Sequence, residues 1–261
     1  MSKILLVDLS AIYWQAWHAS GESEISAARQ GTLAGVQRAI DKSAADFVAI
    51  CCDSPRNARK DLLATYKANR PAKDHAAVGE LEAVKARLVA DGHLLWTADG
   101  FEADDVIATA CMCATELSHE VVIATGDKDL LQLVQDGQVS VLNTRDWSDY
   151  NAARVVEKFG VSPASIPDYL ALVGDSSDGY PGLAGWGPKS SAAVLARFRH
   201  LEHIPEDYRD WHVNATSPGR LAQTLIRERE RAYLFRTLAT LRTDVPLFDD
   251  VDQLRANKFQ R

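Results

Sequence analysis

The sequence is poor in cysteine and methionine, has no long apolar run, and carries no excess of positive charge. Its 261 residues contain four cysteines and two methionines. The cysteines show no zinc-finger spacing. Cys51 and Cys52 lie in a strand-like run, and Cys111 and Cys113 in an apolar helical one. Buried reduced thiols are expected, with a vicinal redox pair as the alternative. No stretch of about 18 apolar residues occurs, which excludes an ordinary membrane span. The start, Met1-Ser-Lys-Ile-Leu-Leu-Val-Asp8, lacks a signal-peptide pattern and reads as a strand. The cytoplasm is therefore the expected compartment. With 46% hydrophobic residues, the chain can build one sizeable domain, or a domain plus a smaller module.

What is abundant is acid, and it is clustered. Glu102, Asp104 and Asp105 follow Gly100 and open a helical run; Asp127 and Asp129 follow the β-branched run Val121 to Thr125. Acids in a first helical turn are favoured by the helix dipole, so capping alone could explain Glu102 to Asp105. It does not explain Gly126-Asp-Lys-Asp129 at a strand end. Asp8 and Asp53 also end predicted strands, Lys3–Asp8 and Asp46–Asp53. Each taken singly is a helix N-cap candidate. Together with Asp175 and Asp178 they make nine candidate ligands for hard divalent cations. The formal net charge is −7, from 36 acids and 29 Lys plus Arg; 36 less these nine leaves 27 acids. Net charge therefore does not exclude a phosphate-rich partner, because bound cations invert the local field.

Strands at Lys3–Asp8, Asp46–Asp53, Leu94–Trp96, Val121–Thr125 and Val139–Leu142 alternate with helical spacing, as in a parallel sheet. Helices are expected at Ala11–His18, Thr32–Ala45, Val78–Leu95, Asn151–Phe159, Ser191–Phe198 and Arg220–Arg242, with a loop at Ser20–Ser26. Ligands of such sheets bind beyond the carboxyl ends of the strands. Between Arg56 and Lys73 lies a basic run with Arg59, Lys60, Lys67, Arg70 and Lys73, in which Tyr66 offers an aromatic face. That mixture suits phosphate contact and base stacking, or else a plain solvated helix. On a helix, Lys67 and Arg70 would share one face. Five glycines, at 174, 179, 182, 185 and 187, permit close backbone approach to a ligand. Gly185-Trp-Gly-Pro-Lys-Ser190 precedes a helix and could present N–H groups to a phosphate, or simply turn the chain.

Four segments carry a resemblance: Gly100-Phe-Glu-Ala-Asp-Asp-Val106, Ala124-Thr-Gly-Asp-Lys-Asp129, Ala171-Leu-Val-Gly-Asp-Ser-Ser-Asp178 and Pro181-Gly-Leu-Ala-Gly-Trp-Gly-Pro-Lys-Ser190. In order, they resemble the 5′-nuclease superfamily of flap endonucleases and polymerase-I-type 5′-3′ exonuclease domains. The resemblance implies a PIN-like α/β fold: a mostly parallel central sheet flanked by helices, a helical arch, and a helix–hairpin–helix variant. The expected division is a nuclease core with arch over 1–160, a DNA-binding module over 161–240, and a segment 241–261 packing on the core. Family metal ligands fall on Asp8, Asp53, Glu102, Asp104, Asp105, Asp127, Asp129, Asp175 and Asp178. Catalytic arch residues fall on Arg59, Tyr66, Lys67 and Arg70, and DNA contacts on Gly185, Gly187, Lys189 and Ser190. Trp186 and Pro188 depart from the usual hairpin residues.

The implied activity is hydrolysis of DNA phosphodiesters near 5′ ends, by a monomer using two or more Mg²⁺ or Mn²⁺ ions, with K⁺ at the hairpin turn. Glu102, Asp104, Asp127, Asp129 and Asp178 are expected as inner ligands or their water partners, with Asp8, Asp53, Asp105 and Asp175 acting through metal-bound waters. The expected partners are 5′ flaps, nicks and single-strand/duplex junctions, and RNA–DNA hybrids, with no membrane. The competing readings are a non-catalytic DNA-junction binder and a PIN-like ribonuclease. Loss of acids would mark the former, and all nine are present.

Overall fold

The computed structural model describes residues 2–21, 25–72 and 74–247. Lys73 and residues 248–261, most of the expected C-terminal segment, lie outside the described residues. In chain order the strands and helices are β1 (Lys3–Asp8), α1 (Leu9–Ala19), α2 (Ile25–Ser43), β2 (Phe47–Cys51), α3 (Arg59–Leu62), α4 (His75–Ala90), β3 (Leu94–Trp96), α5 (Ala103–Glu116), β4 (Glu120–Thr125), β5 (Val139–Asn143), β6 (Asp149–Tyr150), α6 (Ala152–Phe159), α7 (Ile166–Val173), α8 (Pro188–Phe198), α9 (Pro218–Arg227) and α10 (Arg229–Ala239).

The chain forms two compact units. Of the described residues, the first contains those from 2 to 57, from 72 to 151 and from 242 to 247; the second contains 58–71 and 152–241. Residues 58–71 of the basic run thus group with the later helices. The physical reason is a set of long-range bonds, described below, from residues 59–70 to residues 176–178 and 238–240.

In the first unit, six strands are ordered β3-β2-β1-β4-β5-β6. All pairings are parallel except β5 with β6. β1 sits between two parallel neighbours, so Leu5, Leu6 and Val7 are almost fully buried and the strand reads as a continuous apolar run. Leu9, Ile12, Tyr13 and Trp17 of α1 and Val84 and Leu88 of α4 join Leu5 and Val7 in one core cluster. The strand order reverses between β1 and β4, so the crevice beyond their carboxyl ends is the topological switch point where ligands of open α/β sheets collect. Helix α2 begins at Ile25, inside the segment Ser20–Ser26 expected to be a loop.

In the second unit, α7 and α8 flank the glycine-rich segment. Gly174 ends α7 with φ +89°, and a Cβ there would lie 2.4 Å from the Pro181 carbonyl carbon. A Cβ on Gly182 would lie 2.4 Å from the Gly174 nitrogen. The close approach expected of these two glycines is therefore to each other's backbone, not to a ligand. α8 begins at Pro188, three residues before the expected Ser191, because proline lacks the N–H that a first helical residue leaves unbonded. The basic tail is two helices broken at Glu228.

Candidate metal centre and phosphate-facing segment

Seven of the nine acids belong to the first unit, at the carboxyl edge of its sheet. Asp8 is the last residue of β1 and caps α1: its Oδ1 accepts the Ala11 N–H at 3.0 Å. Its Oδ2 accepts the Thr125 hydroxyl from β4 at 2.8 Å. Asp53, two residues past β2, accepts the Ser10 hydroxyl at 2.7 Å and the Ala103 N–H at 2.9 Å. Glu102 and Asp105 form a capping box at the start of α5, and Asp105 also accepts the Arg242 N–H at 2.9 Å. After β4, the Thr125 hydroxyl accepts the Asp127 N–H at 3.0 Å, and Asp127 Oδ1 accepts the Asp129 N–H at 3.0 Å. The capping explanation thus holds for Asp8, Glu102 and Asp105, and it coexists with their gathering at one edge.

Electrostatics shows what that gathering does. Asp8 is only 4% exposed. Burial pushes its carboxyl up to about 7; Asp53 and Asp127 add repulsion, against the Ala11 and Thr125 hydrogen bonds that pull it down. Asp8 and Asp104 both raise the Cys51 thiol beyond what its burial does. A buried carboxylate facing two others is held charged only at a cost, which a proton or a cation relieves. All the donors are hard oxygens, the set that suits Mg²⁺ or Mn²⁺ and not softer metals. The residues present therefore fit the group.

The second unit holds Asp175 and Asp178, both buried, in a tight loop. Asp175 and Tyr180 exchange backbone bonds of 2.9 and 3.1 Å, and Asp175 Oδ1 accepts the Ser177 N–H at 2.8 Å. Residues 65–70 dock on this loop. The Lys67 N–H donates to the Asp178 carbonyl at 2.8 Å. Asn69 donates to the Ser176 carbonyl at 2.6 Å, and Arg70 Nε to the Ser177 carbonyl at 3.0 Å. The Asp178 carboxylate accepts from the Tyr66 hydroxyl at 2.6 Å and the Arg70 guanidinium at 3.0 Å, with Lys67 Nζ at 3.6 Å.

Three expectations change here. Residues 64–69 are turns and Arg70 is a bend, with Lys67 at φ +54°, so Lys67 and Arg70 do not share a helix face. A common carboxylate, not a helix, brings them together. Tyr66 is 1% exposed, so its ring offers no stacking surface to a base. Arg59 is 8% exposed and donates to the carbonyls of Leu238 and Thr240 at 3.0 and 3.3 Å, tying α3 to the end of α10.

Gly185 and Gly187 lie in the turn before α8, Gly187 as its N-cap, with Lys189 exposed and Ser190 buried in the first turn. Trp186 is buried: its indole N–H donates to the Leu221 carbonyl of α9 at 3.2 Å, and its ring lies 5.8 Å from that of Trp211. Sequence reasoning missed Ser10, Thr125 and Asn69, which orient the acids and the basic segment. The only local signal was their closeness to strand ends or to lysine.

Known proteins share this sequence pattern and fold. Residues 3–160 match the family model "5′-3′ exonuclease, N-terminal resolvase-like domain" and residues 161–261 match "5′-3′ exonuclease, C-terminal SAM fold". The chain belongs to the 5′-3′ exonuclease family. It is 36% identical over 215 residues to the flap endonuclease Xni of Salmonella paratyphi B, covering 80% of this chain and 81% of that protein. It is 34% identical over 272 residues to the DNA polymerase I of Pseudomonas aeruginosa, covering 99% of this chain but 29% of the polymerase. Among solved structures, a T5 5′-exonuclease with bound zinc has the same fold, at TM-score 0.74 and 19% identity, over 91% of this chain and 89% of that one.

Proposed function

We propose that this chain is a structure-specific 5′ nuclease that hydrolyses DNA phosphodiesters near 5′ ends, at flaps, nicks and single-strand/duplex junctions. The observation that carries the reading is the buried Asp8 carboxylate at the switch point of the sheet, repelled by Asp53 and Asp127. Family membership supplies the reaction class. Divalent cations, Mg²⁺ or Mn²⁺, would activate water and offset charge on the phosphate. Asp8, Asp53, Glu102, Asp104, Asp105, Asp127 and Asp129 would hold them in the first unit, and Asp175 and Asp178 are further ligands. Thr125 and Ser10 orient Asp8 and Asp53 through the hydroxyl bonds described above. Lys67 and Arg70, kept together by Asp178, are the cations for the phosphate. Gly185, Gly187, Lys189 and Ser190 form the duplex-binding turn, with K⁺ as its monovalent ion. Arg59 and Tyr66 keep the basic segment in place. Among the described residues no helix is long and apolar enough to cross a membrane.

The test is cleavage of a 5′-labelled flap, a nicked duplex, a single strand and an RNA–DNA hybrid, with product sizes read directly. Chelator should abolish cleavage, and Mg²⁺ or Mn²⁺ should restore it. Asp127→Asn keeps an oxygen for the Asp129 N–H, so the fold should survive. Its cleavage should fall on the order of 10²-fold or more, since even residues that merely support metal ligands contribute 10–100-fold. Full activity in Asp127→Asn would sink the metal assignment.

A further inference from the structure

An arginine of the first unit lies at the acid edge of the sheet without an acid of its own. Thr125 of β4 and Asn143 of β5 are paired, and Asp127 and Arg145 each stand two residues beyond that pair. The backbone here is fixed: the Thr144 N–H donates to the Thr125 carbonyl at 3.0 Å, and the Arg145 N–H to Asn143 Oδ1 at 2.8 Å. Arg145 is exposed, and its side chain lies over Gly126, where an added Cβ would be 3.1 Å from Nε and 3.3 Å from Cγ. Its guanidinium has no ion pair and no side-chain hydrogen bond among the described residues. Thr144 Oγ1 borders the same spot, 3.3 Å from that Cβ position. Thr144 is only 5% exposed, and its hydroxyl has no hydrogen-bond partner among the described residues. A buried polar group left unpaired costs free energy. Arginine only donates, so it cannot accept the hydroxyl proton. Two donors, one of them charged, thus border one spot next to Asp127, and both lack an acceptor.

We propose that Thr144 and Arg145 form a phosphate subsite for the strand being cut, built from the first unit alone. The arginine swings off Gly126 to bind a phosphate oxygen, and the hydroxyl beneath it donates to the same phosphate. The proposal rests on the nuclease reading above, which brings a phosphate to this edge. An oxyanion supplies the acceptor that both groups lack, and the planar guanidinium fork takes two phosphate oxygens at once. Gly126 permits the resting position, since a side chain there would meet Arg145. An internal diester, a terminal 5′ phosphate and free phosphate share this chemistry, and experiment separates them.

Equilibrium binding in Ca²⁺ is measured over a range of salt for the wild type, Arg145→Ala, Arg145→Lys and Thr144→Val. The probes are a 5′ flap ending in phosphate, the same flap ending in hydroxyl, and inorganic phosphate. Arg145→Ala should bind the flap about tenfold more weakly, as for one hydrogen bond to a charged group. Its slope of log affinity against log salt should shrink by about 0.7, as for one phosphate contact on a single strand. Arg145→Lys should keep the slope and lose part of the affinity. Thr144→Val keeps the shape and removes the unpaired hydroxyl. It should raise the Tm of the free protein and still bind the flap about threefold more weakly; a purely structural residue would move both in the same direction. Equal losses on the two flaps place an internal diester in the subsite, and a loss confined to the phosphate-ended flap places the terminal phosphate there. Unchanged flap affinity and slope in Arg145→Ala overturns the proposal, as does a loss seen with inorganic phosphate alone. A Thr144→Val that binds like the wild type overturns the part given to the hydroxyl. Cleavage of the same flap in Mg²⁺ separates this proposal from the nuclease reading. A wild type that cleaves, beside an Arg145→Ala with unchanged binding, defeats only the subsite. A wild type that neither binds nor cleaves defeats the nuclease reading, and the subsite with it.

Discussion

Replacing Gly179 by alanine tests whether the basic segment is held by the loop that carries Asp175 and Asp178. Gly179 has φ +81°, and its added Cβ would lie 2.9 Å from Asn69 Oδ1, 3.1 Å from the Thr65 carbonyl oxygen and 3.4 Å from the Lys67 nitrogen. Two costs add. A left-handed conformation costs an alanine about 1–2 kcal/mol. The contacts cost roughly 1–3 kcal/mol if nothing yields. The Asn69 amide can swing away, but only by losing its 2.6 Å bond to the Ser176 carbonyl. A destabilisation of about 3 kcal/mol follows, and it falls on the docking of residues 65–70. At roughly 2–4 °C per kcal/mol for a chain of this size, Tm should drop by about 6–12 °C. Trypsin should also cut faster after Lys67, because local opening controls such cleavage. Gly187→Ala is the control: that Cβ would meet nothing within 4 Å, so its effect should stay within about 0.5 kcal/mol. If Gly179→Ala melts with the wild type and resists trypsin equally well, the docking argument is wrong.

Two further outcomes are expected. Lys67→Ala and Arg70→Ala should each lower the single-turnover rate at saturating enzyme on a 5′ flap by about 10²–10³, with a much smaller change in equilibrium binding, if their charge acts in the transition state; a loss confined to binding would make them a DNA-collecting surface. All four cysteines are free thiols: burial pushes Cys52 and Cys111 up to about 12 and Cys51 well above its usual value, while half-buried Cys113 is raised less by burial and by Glu116. At pH 8 the native protein should therefore take one alkyl group, slowly, at Cys113, as mass spectrometry would read; rapid labelling of Cys51 or Cys52 would contradict their burial.

Much of this molecule was legible in one dimension. The strands β1, β2, β4 and β5 are runs of β-branched and aliphatic residues that only a sheet covered on both faces can bury. Their ends were marked by Asp8, Asp53 and Asp127, because a strand end beside a helix start is where a carboxylate finds backbone N–H groups. Parallel pairing then places those ends along one edge, so the gathering of the first-unit acids followed from local pattern plus topology. What local pattern could not supply was the partner of each side chain. Tyr66 reads as an exposed aromatic in a basic run, and its burial depends on Asp178, 112 residues away. Arg59 reads as a phosphate contact, yet it is spent on carbonyls at the end of α10. The glycines at 174 and 182 read as room for a ligand, and that room is filled by their own backbones. Residue type and short-range spacing are enough for most strands and helices, for the strand-end acids and for the hard-oxygen donors they offer. The packing of 58–71 with 152–241 and the gathering of Lys67 and Arg70 by one carboxylate are not in the local pattern, because each depends on contacts between segments far apart in the chain.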